Sequence, residues 1–265
     1  MQARLVAAAR GARWLAEGWR LFRAAPLGWL ALVFAYWLLM TLVSLIPALG
    51  VAVDSVLVPA FSVGFMAAAR AASRGAKLEL ALLFEGLRNE RRAQLMLGAA
   101  YLASLALVLG ASAALDGGAL ARWMLTGERP GDEALHSGDF LAALACAGAL
   151  YVPVMMAFWF APALAAWHGT GAAKALFFSF FGCLINWRAF LAYGAVTSAL
   201  SLGLPFVVLA IMALASGGEA QLAVMTFVFP LLILLLPTLF ASFYASYRDV
   251  FGSLEKSEKS ETAAP

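Results

Sequence analysis

Charged and chemically reactive side chains are scarce in this sequence. Of its 265 residues, 12% are charged and 64% are hydrophobic, and there are only two histidines and two cysteines. Soluble globular proteins have about 25% charged and about 45–50% apolar residues. A soluble fold of this length cannot bury so much apolar surface. The composition therefore excludes a soluble globular protein and predicts that much of the chain faces lipid.

The shortage of histidine and cysteine also argues against a metal site. His136 and His168 are predicted on opposite sides of the membrane, so they cannot share a metal ion, and no cluster has the spacing of zinc ligands. Cys146 and Cys183 are expected to be small buried hydrophobic residues rather than a disulfide. No glycine-rich loop of the GxxxxGK type is present, so no cofactor is expected.

Catalytic residues are equally hard to find. Ser179 near His168 is the one conceivable nucleophile and base pair, and no acid is evident to orient it. Asp54 is the one acid near the core of a predicted span, where it is expected to cap a helix at the outer interface. We therefore expect no enzyme activity and no proton- or sodium-coupled pump.

Long apolar runs predict an all-α fold, a polytopic membrane helix bundle with six transmembrane helices and additional interfacial amphipathic helices. A membrane helix needs about 20 residues. The predicted spans are residues 28–49, 54–71, 95–115, 140–166, 190–214 and 221–246. Residues 1–250 are expected to form a single domain, and the polar stretch 251–265 a disordered cytoplasmic tail.

The basic residues predict the orientation. Sixteen of the eighteen arginines and lysines lie on the side that carries both termini, and only Arg122 and Arg129 lie on the other. Positively charged loops stay in the cytoplasm. The protein is therefore expected in a bacterial inner membrane with cytoplasmic N- and C-termini. Because the basic residues flank apolar runs rather than forming one patch, no nucleic acid is expected as a partner.

Residues 10–23 predict an amphipathic helix in the headgroup region. At about 100° per residue, the apolar arc contains Trp14 and Trp19, and the opposite arc contains Arg10, Arg13 and Arg20. Such a helix is attracted to anionic lipid. It is interpreted either as an anchor that fixes topology or as a site for lipid sensing or partner docking.

Three segments that lead into the odd-numbered spans resemble one another, each with a glycine and then arginine before the span. The third, "FFSFFGCLINWRAF" at 177–190, carries Asn186, Trp187 and Arg188. It is interpreted as an interfacial helix leading into the fifth span, with a ligand site as the alternative. Pro162 and Pro237 are expected to kink the fourth and sixth spans and to open a cavity or fit a curved bundle. The pattern suggests three tandem hairpin repeats.

A ridge of small residues follows the second span at every fourth position: Ala60, Gly64, Ala68 and Ala72. Such ridges allow helices to approach closely. The ridge is expected to serve packing within the chain or, alternatively, a homo-oligomer or a protein partner.

The segments "AKALFFSFFGCLINWRAFLAYG", "VPVMMAFWFAPALAAW" and "GWRLFRAAPLGWL" together resemble an uncharacterised family of proteobacterial multi-span inner-membrane proteins, a domain of unknown function. More distantly they are similar to the membrane domain of some glycerophosphodiester phosphodiesterases. The resemblance implies a six-helix bundle and brings no established activity. No phosphodiesterase domain is expected here, so that enzyme activity does not carry over.

These observations predict an integral inner-membrane protein with a structural, accessory or lipid-interacting role and membrane lipids as partners. The alternative is a small permease or transporter of lipid-like or amphiphilic molecules.

Overall fold

The computed structural model of the protein describes residues 2–46, 50–216 and 228–252, and within these residues the regular structure is entirely helical. The α-helices are α1 (Ala9–Ala24), α2 (Pro26–Ser44), α3 (Gly50–Ser73), α4 (Glu85–Arg88), α5 (Arg91–Asp116), α6 (Ala119–Thr126), α7 (Asp132–Leu135), α8 (Gly138–Phe158), α9 (Ala161–His168), α10 (Ala172–Ile185), α11 (Trp187–Ser198), α12 (Leu204–Ser216) and α13 (Phe229–Phe251). A 3₁₀ helix (Leu80–Phe84) and a π-helical segment (Ala199–Gly203) complete the described elements.

Six stretches are long and apolar enough to cross a membrane, which confirms the predicted all-α membrane fold. They are Pro26–Ser44, Gly50–Ser73, Arg91–Asp116, Gly138–His168, Trp187–Ile211 and Pro230–Phe251. The described ends of these stretches lie a few residues from the predicted ends. The first span ends at Ser44 rather than at 49, because residues 45 and 46 form a turn and bend, and the sixth continues to Phe251 rather than to 246. Residues 217–227 and the tail from 253 lie outside the described residues.

Each odd-numbered span is preceded by a shorter helical segment, as the sequence predicted. Helix α1 precedes the first span, the 3₁₀ helix with α4 precedes the third, and α10 precedes the fifth. The element order is consistent with three tandem hairpins, and the repeat itself stays a prediction.

The described residues fall into two compact units, each considered by itself below. Unit 1 is made of the described residues within Met1–Trp37, Ser62–Glu85 and Gly182–Pro265. Unit 2 is made of those within Leu38–Phe61 and Gly86–Phe181.

Helix α1 is the centre of unit 1, and most of its apolar arc is buried against other helices of this unit. Trp14 is 0% exposed, and its ring lies 5.2 Å from the ring of Phe190 and 6.0 Å from that of Tyr193. Trp19, in contrast, keeps 41% of its surface exposed. The apolar arc therefore packs against α11 and α13. Two glycines on this arc, Gly11 and Gly18, allow the close approach.

These glycines bring α1 into backbone contact with both neighbours. A methyl group at Gly11 would lie 2.8 Å from the backbone nitrogen of Tyr193 in α11. A methyl group at Gly18 would lie 2.9 Å from the backbone nitrogen of Ser242 in α13. Real Cβ contacts are essentially never this short, so only glycine allows helices to approach so closely.

A cluster of charged side chains lies on the polar side of the same helix. The Arg10 guanidinium donates to Glu17 Oε1 at 3.0 Å and, through Nε, to Asp249 Oδ2 at 2.6 Å. Trp14 Nε1 donates to the same Asp249 oxygen at 2.8 Å, and Arg248 pairs with Glu17. The hydrogen bond to Asp249 raises the pKa of Arg10, in opposition to burial, which lowers it. The cluster ties α1 to the end of α13.

In unit 2, the fourth span is interrupted between α8 and α9, and a serine hydroxyl bonds the backbone groups at the interruption. The Ser179 hydroxyl donates to the carbonyl of Met156 at 2.8 Å and accepts from the amide of Phe160 at 2.9 Å. Pro162 lies in the first turn of α9, where its missing N–H costs little. The expected kink at Pro162 is therefore an interruption of the helix two to three residues before it.

All four residues of the predicted ridge are buried: Ala60, Gly64, Ala68 and Ala72. In unit 1, a methyl group at Gly64 would lie 2.7 Å from the Cα atom of Leu83. Burial favours the first alternative, helix packing within the chain. A homo-oligomer or partner at this ridge stays a prediction that would require these residues to become exposed.

Substituting Gly18 with alanine tests whether the close approach of α1 stabilises unit 1. Overpacking costs about 1–3 kcal/mol, so Gly18→Ala is expected to lower the temperature of thermal unfolding in detergent. Gly194→Ala in α11 is the matched control, because a methyl group there meets no atom within 4 Å. The control is expected to leave the unfolding temperature unchanged or raised. Equal unfolding temperatures for the two variants would contradict the packing argument.

Candidate functional site

Unit 2 contains an apolar cavity of about 770 Å³. Its walls come from α5, α6, α8 and the first turns of α3. The lining residues are Val51, Ser55, Leu102, Leu105, Ala106, Val108, Leu109, Gly110, Ala113, Leu120, Ala121, Met124, Leu125, Leu144, Ala147, Gly148 and Tyr151. Ligand pockets in proteins are about 300–1,000 Å³, so the cavity has the size of a binding site.

The cavity carries hydroxyl groups and no charge. Ser55 donates its hydroxyl hydrogen to the carbonyl of Val51 at 2.8 Å, so its donor is used within α3. The hydroxyl of Tyr151 lies 3.2 Å from that of Tyr101, and either can donate. A phenolic hydroxyl can both donate and accept a hydrogen bond. The lining therefore suits an apolar chain with an uncharged polar group.

A short acidic motif places α6 at one wall of the cavity. The Asp116 carboxylate accepts from the amides of Gly118 at 2.8 Å and Leu120 at 2.7 Å. Gly117 and Gly118 have φ values of 63° and 87°, a region that favours glycine. Leu120 then packs against Phe140 of α8. The sequence "LDGGAL" is thus a helix end and a helix start in succession.

Asn186 is a structural clamp in unit 1. Only 2% of its surface is exposed. Its Oδ1 accepts from the amide of Val6 at 2.8 Å, and its Nδ2 donates to the carbonyls of Arg4 and Gly182, each at 2.9 Å. Because Arg4 also donates its amide hydrogen to Val250, the residues before α1 are held at two points.

The other members of the predicted motif point away from this clamp. Trp187 is 52% exposed, and the Arg188 guanidinium lies 5.3 Å from the centre of its ring. The chain is helical on both sides of Asn186, in α10 and α11. This geometry fits a segment that leads into the fifth span, and it brings Trp187 and Arg188 together on an exposed face.

The predicted tryptophan and proline positions are distributed over both units. Trp14 lies in the core of unit 1, Trp19 borders a separate groove there, and Pro237 is buried inside α13. In unit 2, the carbonyl of Pro162 accepts a hydrogen bond of 2.8 Å from Gln94 Nε2. These four residues therefore do not form one site.

The structure gives the contacts of two further polar residues, and it corrects the predicted role of Asp54. Ser179 bonds the backbone at the break between α8 and α9 through its hydroxyl, which is a structural role. Asp54 does not cap α3, because the helix begins at Gly50 and places Asp54 in its second turn. Its Oδ1 is buried without a hydrogen-bond partner among the described residues.

Neither cysteine forms a disulfide. Cys183 is buried and Cys146 is partly buried, and burial raises the pKa of the Cys183 thiol. No group of three or more metal-ligating side chains occurs in the part of the chain that the structure describes.

Three residues with important contacts were not singled out from the sequence: Asp249, Gln94 and Tyr151. Asp249 follows Arg248, one of the sixteen basic residues on the side that carries both termini. Gln94 follows a basic run and resembles a surface residue, yet it is fully buried. In the sequence, such residues can be noticed only as polar residues at the edge of an apolar run. This position does not show which residue they contact.

Comparison with known proteins agrees with this architecture. A probable inner membrane protein of Burkholderia thailandensis is 42% identical to this chain over 261 residues, which cover 96% of both proteins. The chain belongs to the family of this inner-membrane protein. The resemblance to multi-span inner-membrane proteins drawn from the sequence is thereby confirmed. No protein-family model matches the chain, and no solved structure matches it.

Asn186→Asp tests the clamp on the N-terminal segment. The carboxylate keeps the acceptor for Val6 but loses both donated hydrogen bonds, to Arg4 and Gly182. We expect the amide of Val6 to exchange hydrogen roughly tenfold faster or more, since a net hydrogen bond contributes about 1 kcal/mol. Exchange mass spectrometry of the N-terminal peptide measures this, with the exposed Arg188→Gln as control. Unchanged exchange in Asn186→Asp would contradict the clamp.

Proposed function

We propose that this inner-membrane protein binds a lipid-like molecule in the cavity of unit 2 and acts without catalysing a reaction. The observation that carries the proposal is the cavity itself, with its volume of about 770 Å³ and its lining of aliphatic side chains. An apolar chain that fills a space of this size between helices gains packing contacts with the aliphatic walls.

The chemistry of the lining favours an uncharged amphiphile. No acidic or basic side chain is among the lining residues, so an ion would lose its hydration without compensation. The Tyr151 hydroxyl, which belongs to the cavity lining, can bond an ester, hydroxyl or amide group. The ligand class is therefore an acyl or isoprenoid chain with a small neutral polar group.

A permease for the same class of molecule is the second candidate. The observation that favours it is the interruption between α8 and α9, since transporters place substrate sites at broken helices. Near this break, Gln94 is fully buried and its Oε1 has no hydrogen-bond partner among the described residues. Binding without movement of the ligand across the membrane distinguishes the first candidate from the second.

We also propose that both termini are cytoplasmic. The support is the distribution of basic residues, of which sixteen flank one set of helix ends and two flank the other. With this orientation, α6 and α7 belong to the periplasmic side.

Accessible cysteines test the orientation. In a background with Cys146 and Cys183 replaced by alanine, Glu128→Cys and Lys77→Cys each add one exposed thiol. An impermeant maleimide, applied to cells with a permeable outer membrane, is expected to label Glu128→Cys. Lys77→Cys is expected to react only after the inner membrane is broken. The opposite labelling pattern would reverse the proposed topology.

Filling the cavity tests the ligand. A Cβ atom at Gly148 meets nothing within 4 Å, and the residue lines the cavity. Gly148→Phe is therefore expected to fold and to displace a bound amphiphile. The measurement is mass spectrometry of lipids that co-purify in native-membrane nanodiscs, where one species is expected at near-stoichiometric ratio with the wild-type protein and to be lost with the variant.

Gly194→Phe is the matched control, because its Cβ also meets open space but lies in unit 1 outside the cavity. It is expected to retain the ligand. Only bulk lipid on the wild-type protein, or equal retention by both variants, would overturn the proposed function. Uptake of the identified ligand into protein-containing liposomes would support the permease instead.

A further inference from the structure

Unit 1 contains an apolar groove of about 350 Å³ that the proposed function does not use. One wall is formed by α1 with Ala12, Leu15, Ala16 and Trp19. The opposite walls are formed by Val196, Leu200, Leu231, Leu234, Leu235 and Thr238. The single hydroxyl, on Thr238, donates its hydrogen to the carbonyl of Leu234 at 2.9 Å. The groove therefore offers apolar contact along its length.

Arginines border the groove along α1. The four α1 residues that line it have the spacing i, i+3, i+4 and i+7, which makes one stripe on the helix. Arg23 continues this stripe one turn beyond Trp19, and Arg20 lies one turn beyond Ala16. Arg13 lies three residues before Ala16. All three arginines are exposed.

Among the described residues, the arginines on this side of α1 lack the carboxylate partners that Arg10 has. Arg10 lies on another side of the helix, where Asp249 and Glu17 hold its guanidinium. Arg13, Arg20 and Arg23 form no ion pair with any residue that the structure describes. The groove is thus an apolar surface with a positive border.

Arg20 and Arg23 stand at the point of the chain where basic residues of a membrane protein typically meet the interface. Arg20 and Arg23 lie six and three residues before Pro26, where the first candidate span begins. The opposite walls of the groove belong to the spans Trp187–Ile211 and Pro230–Phe251. Basic residues at the start of a span lie at the level of the headgroups, and the apolar span beyond lies at the level of acyl chains.

We propose that this groove binds an anionic phospholipid. One acyl chain occupies the groove beside Trp19, and the phosphate contacts Arg20 and Arg23. Guanidinium groups bind phosphate through paired hydrogen bonds, and a net negative headgroup is attracted to uncompensated arginines. A zwitterionic headgroup carries an ammonium group that cancels part of this attraction. The site lies in unit 1 and is independent of the cavity proposed for function.

Lipid titration monitored by native mass spectrometry tests the proposal. The full chain in detergent is titrated with phosphatidylglycerol and with phosphatidylcholine of the same acyl chains. The wild-type protein is expected to bind phosphatidylglycerol more tightly, and the double variant R20Q/R23Q is expected to lose roughly tenfold or more of that affinity. Its affinity for phosphatidylcholine is expected to change little.

Matched controls separate a site from a general effect of charge. The double variant R122Q/R129Q removes the same charge from exposed arginines of unit 2 and is expected to retain the preference. Ala16→Phe places a ring in the groove and is expected to weaken binding of both lipids. Gly148→Phe, which tests the cavity of unit 2, is expected to leave the preference unchanged, so the two proposals can fail separately.

A second measurement does not depend on arginine variants. Phosphatidylglycerol with brominated acyl chains is expected to quench the fluorescence of the wild-type protein more than that of Trp19→Phe. The proposal is overturned by equal affinity for the two lipids, by a preference that survives in R20Q/R23Q, or by equal loss in R122Q/R129Q. Quenching that is the same with and without Trp19 would also overturn it.

Discussion

The contact of α1 with the backbones of α11 and α13 is the interaction on which unit 1 depends. At Gly11 and Gly18 the helices approach so closely that a methyl group would collide with main-chain atoms. Lipid chains are as apolar as leucine, so helices in a bilayer associate through packing and polar contacts rather than through the hydrophobic effect. Small residues that permit close approach, together with the Asp249 cluster, supply both. The same docking leaves Trp19 and the neighbouring arginines at the surface, where they can meet lipid.

Interrupted helices impose the second constraint. No water is available in a bilayer core to satisfy a free amide or carbonyl, so each break needs a polar side chain nearby. Ser179 fills this need between α8 and α9, inside the fourth candidate span. Asn186 bonds the Gly182 carbonyl between α10 and α11, just before the fifth candidate span begins. Polar residues that resemble catalytic or binding residues in an apolar sequence are therefore hydrogen-bond partners of the backbone here. This use of polar side chains explains why so few of them, among the described residues, converge on a cavity.

Two apolar recesses with different borders follow from these constraints. The cavity of unit 2 is lined without charge and carries the Tyr101–Tyr151 hydroxyl pair at its edge. The groove of unit 1 is smaller and is bordered by arginines. We propose that this difference distinguishes uncharged from anionic amphiphiles, since an unpaired charge in an apolar cavity is costly and a phosphate beside arginines is stabilised. Both recesses support a role in which the protein recognises lipid-like molecules.

The sequence by itself determined the fold class, the six spans to within several residues, and the short helices that lead into the odd-numbered spans. It did so because span length and apolar composition are local properties of the chain. Only the tertiary structure decided where the apolar face of α1 packs, what Asn186 and Ser179 bond, and where a cavity lies. These features join residues far apart in the chain, such as Arg10 with Asp249 and Val6 with Asn186. A helical pattern shows that one face of α1 is apolar, but an apolar face can pack against lipid or against protein. Gly11 and Gly18 decide between the two, because they allow α11 and α13 to approach closely. Both of these helices are far from α1 in the sequence.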